Sequence, residues 1–92
     1  MAIEKILQPI SPIREHGNQA EELLSTLTVY LLEGSNRFQE TADILYLHKN
    51  TIKYRIQRIT EILKYPVTKS PEVFQLYKAV AVYRMLAQIK EQ

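Results

Sequence analysis

Cysteine is absent from the 92-residue sequence. Its absence excludes disulfide bonds, thiolate chemistry and cysteine-ligated zinc sites, and it is compatible with the cytoplasm, where we expect the protein to reside. The sequence also lacks any apolar run approaching the roughly 20 residues of a membrane-spanning helix. Its N-terminus, MAIEKILQPI, places an acid and a proline where a secretory signal would need a longer apolar core. We therefore expect no membrane partner.

Glycine occurs only twice and proline four times. Extended β-folds need more turn residues than this, whereas the plentiful Leu, Ile, Glu, Lys and Gln favour helices. The 46% hydrophobic content is ordinary for a folded chain, and 92 residues fit one domain near the lower size limit of a single core. The composition predicts a small all-α domain.

Residues that carry enzyme chemistry are also scarce. The two histidines, His16 and His48, lie 32 residues apart, and Asp43 is the single aspartate. Neither a phosphate-binding glycine loop nor a metal-ligand pair is present in the sequence. We therefore predict that the protein is not an enzyme, with no catalytic residues, no metal site and no cofactor.

The net charge of +2 conceals an asymmetry between the two halves of the chain. Residues 1–43 carry 3 basic and 7 acidic side chains, whereas residues 44–92 carry 9 basic and 3 acidic ones. The halves therefore have net charges of −4 and +6. Such a basic half is typical of a surface that faces a polyanion.

Residues 1–17 form an N-terminal segment ahead of the predicted domain, residues 18–92. Its apolar residues begin at helical spacing, but Pro9 and Pro12 interrupt that spacing. Because proline breaks a helix and favours extended backbone before it, we predict a short turn followed by extended chain.

Apolar spacing predicts four helices within residues 18–92. They are the range 19–33, a short helix of two or three turns after Asn36, the recognition-type range 49–64, and a last helix from Ser70-Pro71 to about Lys90. The predicted N-caps are Asn18, Asn36 and Ser70, and Gly34 is the predicted C-cap glycine of the first helix. The last helix is apolar on two faces, so we expect one face to fill the core and the other to meet a second subunit.

The second and third predicted helices, FQETADILYLHKNTIKYRI, have the features of a helix-turn-helix. Ala42 supplies the small side chain that crossing helices need, and Leu45 and Leu47 flank the turn as expected core contacts. Tyr46 occupies the place where glycine is common, and a left-handed tyrosine costs about 1 kcal/mol or more. We therefore expect an adjusted turn. An arc of roughly 60° on the third helix holds its apolar anchors, Ile52, Ile56, Ile59 and Leu63.

The third helix also carries the predicted DNA-contacting side chains. Asn50, Lys53, Tyr54 and Gln57 project opposite the apolar stripe, where Asn and Gln can pair with adenine and Lys with guanine. His48, Lys49 and Thr51 lie at the helix start, which enters the major groove first. Arg55 and Arg58 flank the outer face, within reach of phosphate oxygens.

Several of these residues have structural roles that remain open alternatives. Tyr54 could pack over the first predicted helix, His48 could cap the third, and the stem of Arg55 could cover the core edge. A basic amphipathic helix by itself is more often a solvated face than a nucleic-acid reader. DNA binding is favoured because the spacing, the small residue, the turn and the basic second helix coincide.

The stretch ETADILYLHKNTIKYRIQRITEIL resembles the C-terminal helix-turn-helix of PucR-type bacterial transcription regulators. That family's pattern includes a His-x-Asn-Thr-x-x-Tyr-Arg element, matched here by His48, Asn50, Thr51, Tyr54 and Arg55. The resemblance covers about residues 7–87, and the family tolerates an aromatic residue at the position of Tyr46. The stretch KYPVTKSP departs from the family because it lacks the glycine and acidic residues common there.

The resemblance implies a DNA-binding domain whose sensory region is absent from this chain, with residues 1–17 as the remnant of an interdomain connection. We expect sequence-specific binding to double-stranded DNA, with the third helix in the major groove and a homodimer on repeated half-sites. The alternative is a helical protein-interaction or dimerisation module without DNA binding. The two-faced last helix supports that alternative, and a steep salt dependence would argue against it.

Overall fold

The computed structural model of the protein describes residues 3–90, and for residue 90 only the backbone; all regular structure in this range is helical. The helices are α1 (Ile3–Leu7), α2 (Ser11–Arg14), α3 (Ala20–Leu32), α4 (Phe38–Leu45), α5 (Lys49–Leu63) and α6 (Val73–Lys90). The all-α prediction is confirmed, and the four predicted helices correspond to α3–α6. None of the described helices is both long enough and apolar enough to cross a membrane.

The N-terminal segment is helical, so the prediction of extended chain there is wrong. A 3₁₀ turn, Gln8–Ile10, joins α1 to α2. Pro9 and Pro12 each lie in the first turn of a new helical segment, where the missing N–H has no helical partner to lose. The prolines therefore divide the segment into short helices without unwinding it. Leu7, Ile10 and Ile13 are buried in the core, and α1 packs against α6.

Helix α3 forms the centre of the domain and packs against α2, α4, α5 and α6. It has buried residues on all its turns, including Leu23, Leu24, Leu27, Tyr30 and Leu31. The predicted capping box at Asn18 is wrong, because a 3₁₀ turn (Gly17–Gln19) precedes the helix and its N-cap, Gln19, makes no side-chain cap. The Tyr30 ring stacks on Phe38 with centroids 5.8 Å apart. Burial raises the pKa of the Tyr30 hydroxyl.

The turn between α3 and α4 depends on Gly34, although its backbone is not left-handed. A Cβ atom at this position would overlap the side chain of Thr41, which is fully buried. The left-handed residues are instead Ser35 and Asn36, with φ of 54° and 59°. Asn36 is therefore not the N-cap that we predicted; Arg37 is, and its carbonyl accepts a 2.7 Å hydrogen bond from the Thr41 hydroxyl.

Helices α4 and α5 form the predicted helix-turn-helix and pack on α3. Ala42 is fully buried where α4 meets the core, and Ile52, Ile56 and Ile59 are the buried anchors of α5. Leu47 is more than one third exposed, so its prediction as a core contact is wrong, whereas Leu45 packs against the core. The adjusted turn geometry that we expected at Tyr46 is not observed. Tyr46 keeps a left-handed backbone, with φ of 57° and ψ of 42°.

Helix α6 begins three residues after the predicted cap. Val73 donates its N–H to the carbonyl of Ser70 at 3.1 Å, whereas the buried Ser70 hydroxyl has no hydrogen-bond partner among the described residues. The Ser70 cap is therefore wrong. One face of α6 packs against α1 and α3 through buried residues, Leu76, Ala79 and Val80. The opposite face exposes its own apolar side chains, Phe74, Tyr77, Met85 and Ile89.

Candidate nucleic-acid interface

The start of α5 is fixed by His48. Its backbone is extended (φ −73°, ψ 145°), and its side-chain Nδ1 accepts a hydrogen bond from the N–H of Asn50 at 3.2 Å. An N-cap side chain satisfies one of the four N–H groups that a helix start leaves without a partner. Of the two roles left open for His48, the structure therefore shows the cap. Thr51, also in the predicted set, is half-buried in the same first turn.

The outer face of α5 presents five exposed polar side chains, Lys49, Asn50, Lys53, Tyr54 and Gln57. None of them makes a side-chain hydrogen bond or an ion pair within residues 3–90. Tyr54 is 56% exposed, which disagrees with the alternative that its ring packs over α3. We call these five residues the outer face of α5. Their hydrogen-bonding groups are available to a ligand.

Arg55 has a different environment because it points toward α3. Its side chain is only 19% exposed, and its Nη1 donates a 3.0 Å hydrogen bond to the Thr26 hydroxyl. Its Nη2 lies 3.8 Å from the carboxylate of Glu22. Thr26 is fully buried. The structure therefore supports the alternative in which Arg55 covers the core edge, and it holds α5 against α3.

Arg58 is also held by intramolecular contacts. Its Nη2 donates to Nε2 of His16 at 2.7 Å, and its Nη1 donates to Glu61 at 3.3 Å. His16 lies in the segment that follows α2, so this contact joins α5 to the N-terminal part of the domain. Residues 48–64 carry five basic side chains and one acid. With both arginines paired, the basic residues of this range that have no ion-pair partner in the described part of the chain are Lys49, Lys53 and Lys64.

Two exposed residues that flank α4 were missed by the sequence reasoning. Arg37 is the N-cap of α4, its side chain is 74% exposed, and it pairs with Glu40 at 3.4 Å. Arg37 could have been identified from the sequence. A basic residue at the start of the first helix of a helix-turn-helix lies where that helix crosses the DNA backbone. Tyr46 was considered for its backbone alone, yet it is 93% exposed.

The arrangement is suited to hydrogen bonding with a partner. A rigid helix, fixed by a buried stripe and by two arginines, presents amide, ammonium and phenol groups on one side. The described residues contain no group of three or more side chains that could hold a metal ion. The exposed amide, ammonium and phenol groups fit a binding surface.

Comparison with known proteins identifies the family to which the chain belongs. The family model for the PucR C-terminal helix-turn-helix domain matches residues 23–82, which include all of α4 and α5. The chain belongs to this family. The prediction made from the His-x-Asn-Thr-x-x-Tyr-Arg element is thereby confirmed, and membership makes the chain a helix-turn-helix domain of transcription regulators that bind DNA.

Two relatives from Bacillus subtilis (strain 168) are similar to this PucR-type domain. The purine catabolism regulatory protein is 31% identical over 78 residues, which cover 85% of this chain and 14% of that protein. The proline-responsive transcriptional activator PutR is 39% identical over 56 residues, covering 61% of this chain and 13% of that protein. The chain thus corresponds to only 13–14% of the length of these relatives. No solved structure gives a significant match.

Proposed function

We propose that this PucR-type domain binds double-stranded DNA in a sequence-specific manner, with α5 in the major groove. The observation that carries the proposal is the outer face of α5, whose five exposed polar side chains have no hydrogen-bond partner within the described residues. An α-helix fits the major groove, and the base edges there offer a distinct donor and acceptor pattern for each base pair.

The proposed readers are Asn50, Lys53, Tyr54 and Gln57. Asn50 and Gln57 carry amides that can form bidentate pairs with adenine, and the ammonium of Lys53 can approach the acceptors of guanine. Tyr54 offers an apolar ring edge to thymine methyl groups and a hydroxyl to phosphate. Because these side chains lie on one rigid helix, their spacing is set before DNA arrives.

The remaining predicted residues are proposed to hold or steer α5. Lys49, at the start of the helix, contacts phosphate, and the half-buried hydroxyl of Thr51 donates to a neighbouring phosphate. His48 caps the helix and orders the backbone beside Asn50. We propose that Arg55 and Arg58 orient α5 through Thr26 and His16; this role replaces the phosphate contact expected from the sequence.

We also propose a phosphate contact for Arg37. Its guanidinium is largely exposed, and its only ion pair among the described residues is to the neighbouring Glu40. Surface pairs of this kind contribute little, with a median of about 0–1 kcal/mol, so Arg37 can exchange Glu40 for a phosphate oxygen at small cost. Helix α4 would then be fixed on the DNA backbone while α5 reads the bases.

A homodimer on two half-sites completes the proposal. A single small module buries only about 600–1,000 Å² of protein surface on DNA, so two copies would bind more tightly than one. The exposed apolar face of α6 supports this assembly. The relatives are much longer than the chain, and we propose that the domain acts in a regulator together with a sensory region.

Selection from a random duplex pool at two salt concentrations tests the proposed function. We expect enrichment of a motif that recurs about one helical turn apart, and an affinity that falls steeply as salt rises because counterions are released from phosphate. If no duplex binds even at low salt, the protein is instead an interaction module. The exposed apolar face of α6 would then be its first candidate surface.

A further inference from the structure

Tyr46 has the most unusual combination of backbone and side chain in the described part of the protein. Its backbone is left-handed, with φ of 57° and ψ of 42°, and it is 93% exposed. Left-handed backbone brings the Cβ of an L-residue too close to its own carbonyl oxygen. A bulky residue held there is an outlier that points to a function. The ring cannot offset the strain by packing, because almost none of it is buried.

The strain at Tyr46 is imposed by the turn. The N–H of Leu47 donates to the carbonyl of Ala42 at 2.9 Å, and that of Tyr46 donates to Asp43 at 3.4 Å. Ala42 is fully buried, so the turn cannot relax without disturbing the end of α4. The other left-handed residues besides glycine, Ser35, Asn36 and Lys64, have small or flexible side chains. Folding alone would therefore be served better by glycine at position 46.

Tyr46 lies close to the candidate nucleic-acid interface. It comes two residues before His48, which caps α5, and near the exposed Lys49 and Asn50 at the start of that helix. The helix start is the end of a recognition helix that contacts bases, so the turn preceding it reaches toward the flanking phosphates. A tyrosine hydroxyl is one of the groups that donate hydrogen bonds to phosphate oxygens.

We propose that Tyr46 is a DNA-backbone contact whose hydroxyl donates to a phosphate beside the groove that α5 occupies. This inference rests on the proposed function. The contact is independent of sequence, because every nucleotide carries the same phosphate. It is also neutral, so it releases no counterion and adds nothing to the salt dependence of binding. Those two properties separate Tyr46 from base readers and from basic phosphate contacts.

The test compares Tyr46→Phe and Tyr46→Gly with wild type, using fluorescence anisotropy on labelled duplexes of random sequence, about 24 bp long, between about 50 and 200 mM salt. Tyr46→Phe keeps the ring and removes the hydroxyl. We expect it to weaken binding to all duplexes by about tenfold, with an unchanged slope of log affinity against log salt. Tyr46→Gly should bind at least as weakly, although its melting temperature rises by about 2–4 °C through relief of the left-handed strain.

Ser35→Gly is the matched control, since it relieves left-handed backbone in the turn before α4. It should raise the melting temperature by a similar amount and leave DNA affinity unchanged. If wild type binds and Tyr46→Phe binds equally well, the phosphate contact is overturned while DNA binding stands. A loss confined to some of the duplexes, or a flatter salt slope, would also overturn it. If wild type binds no duplex, the proposed function itself fails.

Discussion

The outer faces of α5 and α6 lie on two helices that both pack against α3, and both are exposed, but their chemistry is opposite. The face of α5 carries polar and basic groups, including Asn50 and Lys53. The face of α6 carries apolar side chains, among them Phe74 at 71% exposure and Met85 at 60%. Single exposed apolar residues are common on monomers, whereas four within about one third of a helix circumference form a patch.

The difference indicates two kinds of partner. Polar side chains without intramolecular partners are well solvated in water and can exchange water for base edges or phosphates. Apolar side chains gain from contact with another apolar surface, and the gain is about 25 cal/mol per Å² removed from water. The first face therefore has the chemistry required by the proposed DNA contact, and the second has the chemistry required by the proposed dimer contact. We expect the variants below to affect one of the two faces or the residues that hold it in place, and each has a matched control variant.

The largest effect is expected when the support of the α5 face is removed. Ile52→Ala deletes a fully buried side chain and should lower the free energy of unfolding by about 2–5 kcal/mol. Met85→Ala on α6 should change it by less than about 0.5 kcal/mol because Met85 is exposed. Urea unfolding followed by circular dichroism measures both. Equal effects would mean that α5 is not anchored as described.

The next largest effect is expected on DNA affinity when a lysine is removed from the α5 face and not from α6. Lys53→Ala should cost about 1–3 kcal/mol of binding to the selected duplex and relax the preference at one base pair. Lys78→Ala removes the same charge on α6, where Lys78 lies 5.5 Å from the ring centroid of Phe74, and should leave base preference unchanged. Anisotropy titrations with the selected duplex and its single-base variants give both values. Unchanged affinity and preference in Lys53→Ala would reject its role as a reader.

A smaller effect is expected from the residue that orients α5. Arg55→Ala removes the hydrogen bond to Thr26 and should lower the free energy of unfolding by about 1–2 kcal/mol. It should weaken all duplexes alike, with base preference retained, because a tilted helix loses contacts without changing their chemistry. Arg37→Ala is the contrast: it should leave stability nearly unchanged and flatten the salt slope by about one phosphate contact. A flatter slope in Arg55→Ala would indicate a phosphate contact after all.

The smallest effect concerns the α6 face. Phe74→Ser should lower affinity for a duplex with two half-sites by about 1 kcal/mol, since one exposed aromatic side chain per copy leaves a small interface. Affinity for a single half-site and the melting temperature should stay unchanged. Ile44→Ser, an exposed substitution on α4, is the control for a general loss of apolar surface. Equal losses on one and two half-sites would argue against a dimer through α6.

The sequence was most informative where one periodic pattern decides the structure. The stripe through Ile52, Ile56 and Ile59 correctly gave the buried face of α5, because helical spacing alone fixes which residues share a side. It could not give the role of Arg55, since its partner Thr26 lies 29 positions away in the sequence. Helical spacing gives the direction in which a side chain projects, but it does not identify the residue that the side chain contacts there.

Local rules failed where packing decides between permitted conformations. Pro9 and Pro12 are compatible either with the end of a helix followed by extended chain or with the first turn of a new helix. The burial of Ile10 and Ile13 favours the new helical turn. The cap predicted at Asn36 failed because that residue is needed in the left-handed turn after Gly34. The family resemblance succeeded because it combined residue types and spacing over a long stretch.

The lack of intramolecular bonds on the outer face of α5 has a consequence for how the domain can change. Side chains such as Asn50, Lys53 and Gln57 make no hydrogen bond or ion pair in the described chain, so we expect their replacement to cost the fold little. Under the proposed function, operator preference and folding can therefore vary independently. New target sequences are open to this scaffold by redesign of a few side chains, while the stripe beneath them, His48 and Arg55 are kept.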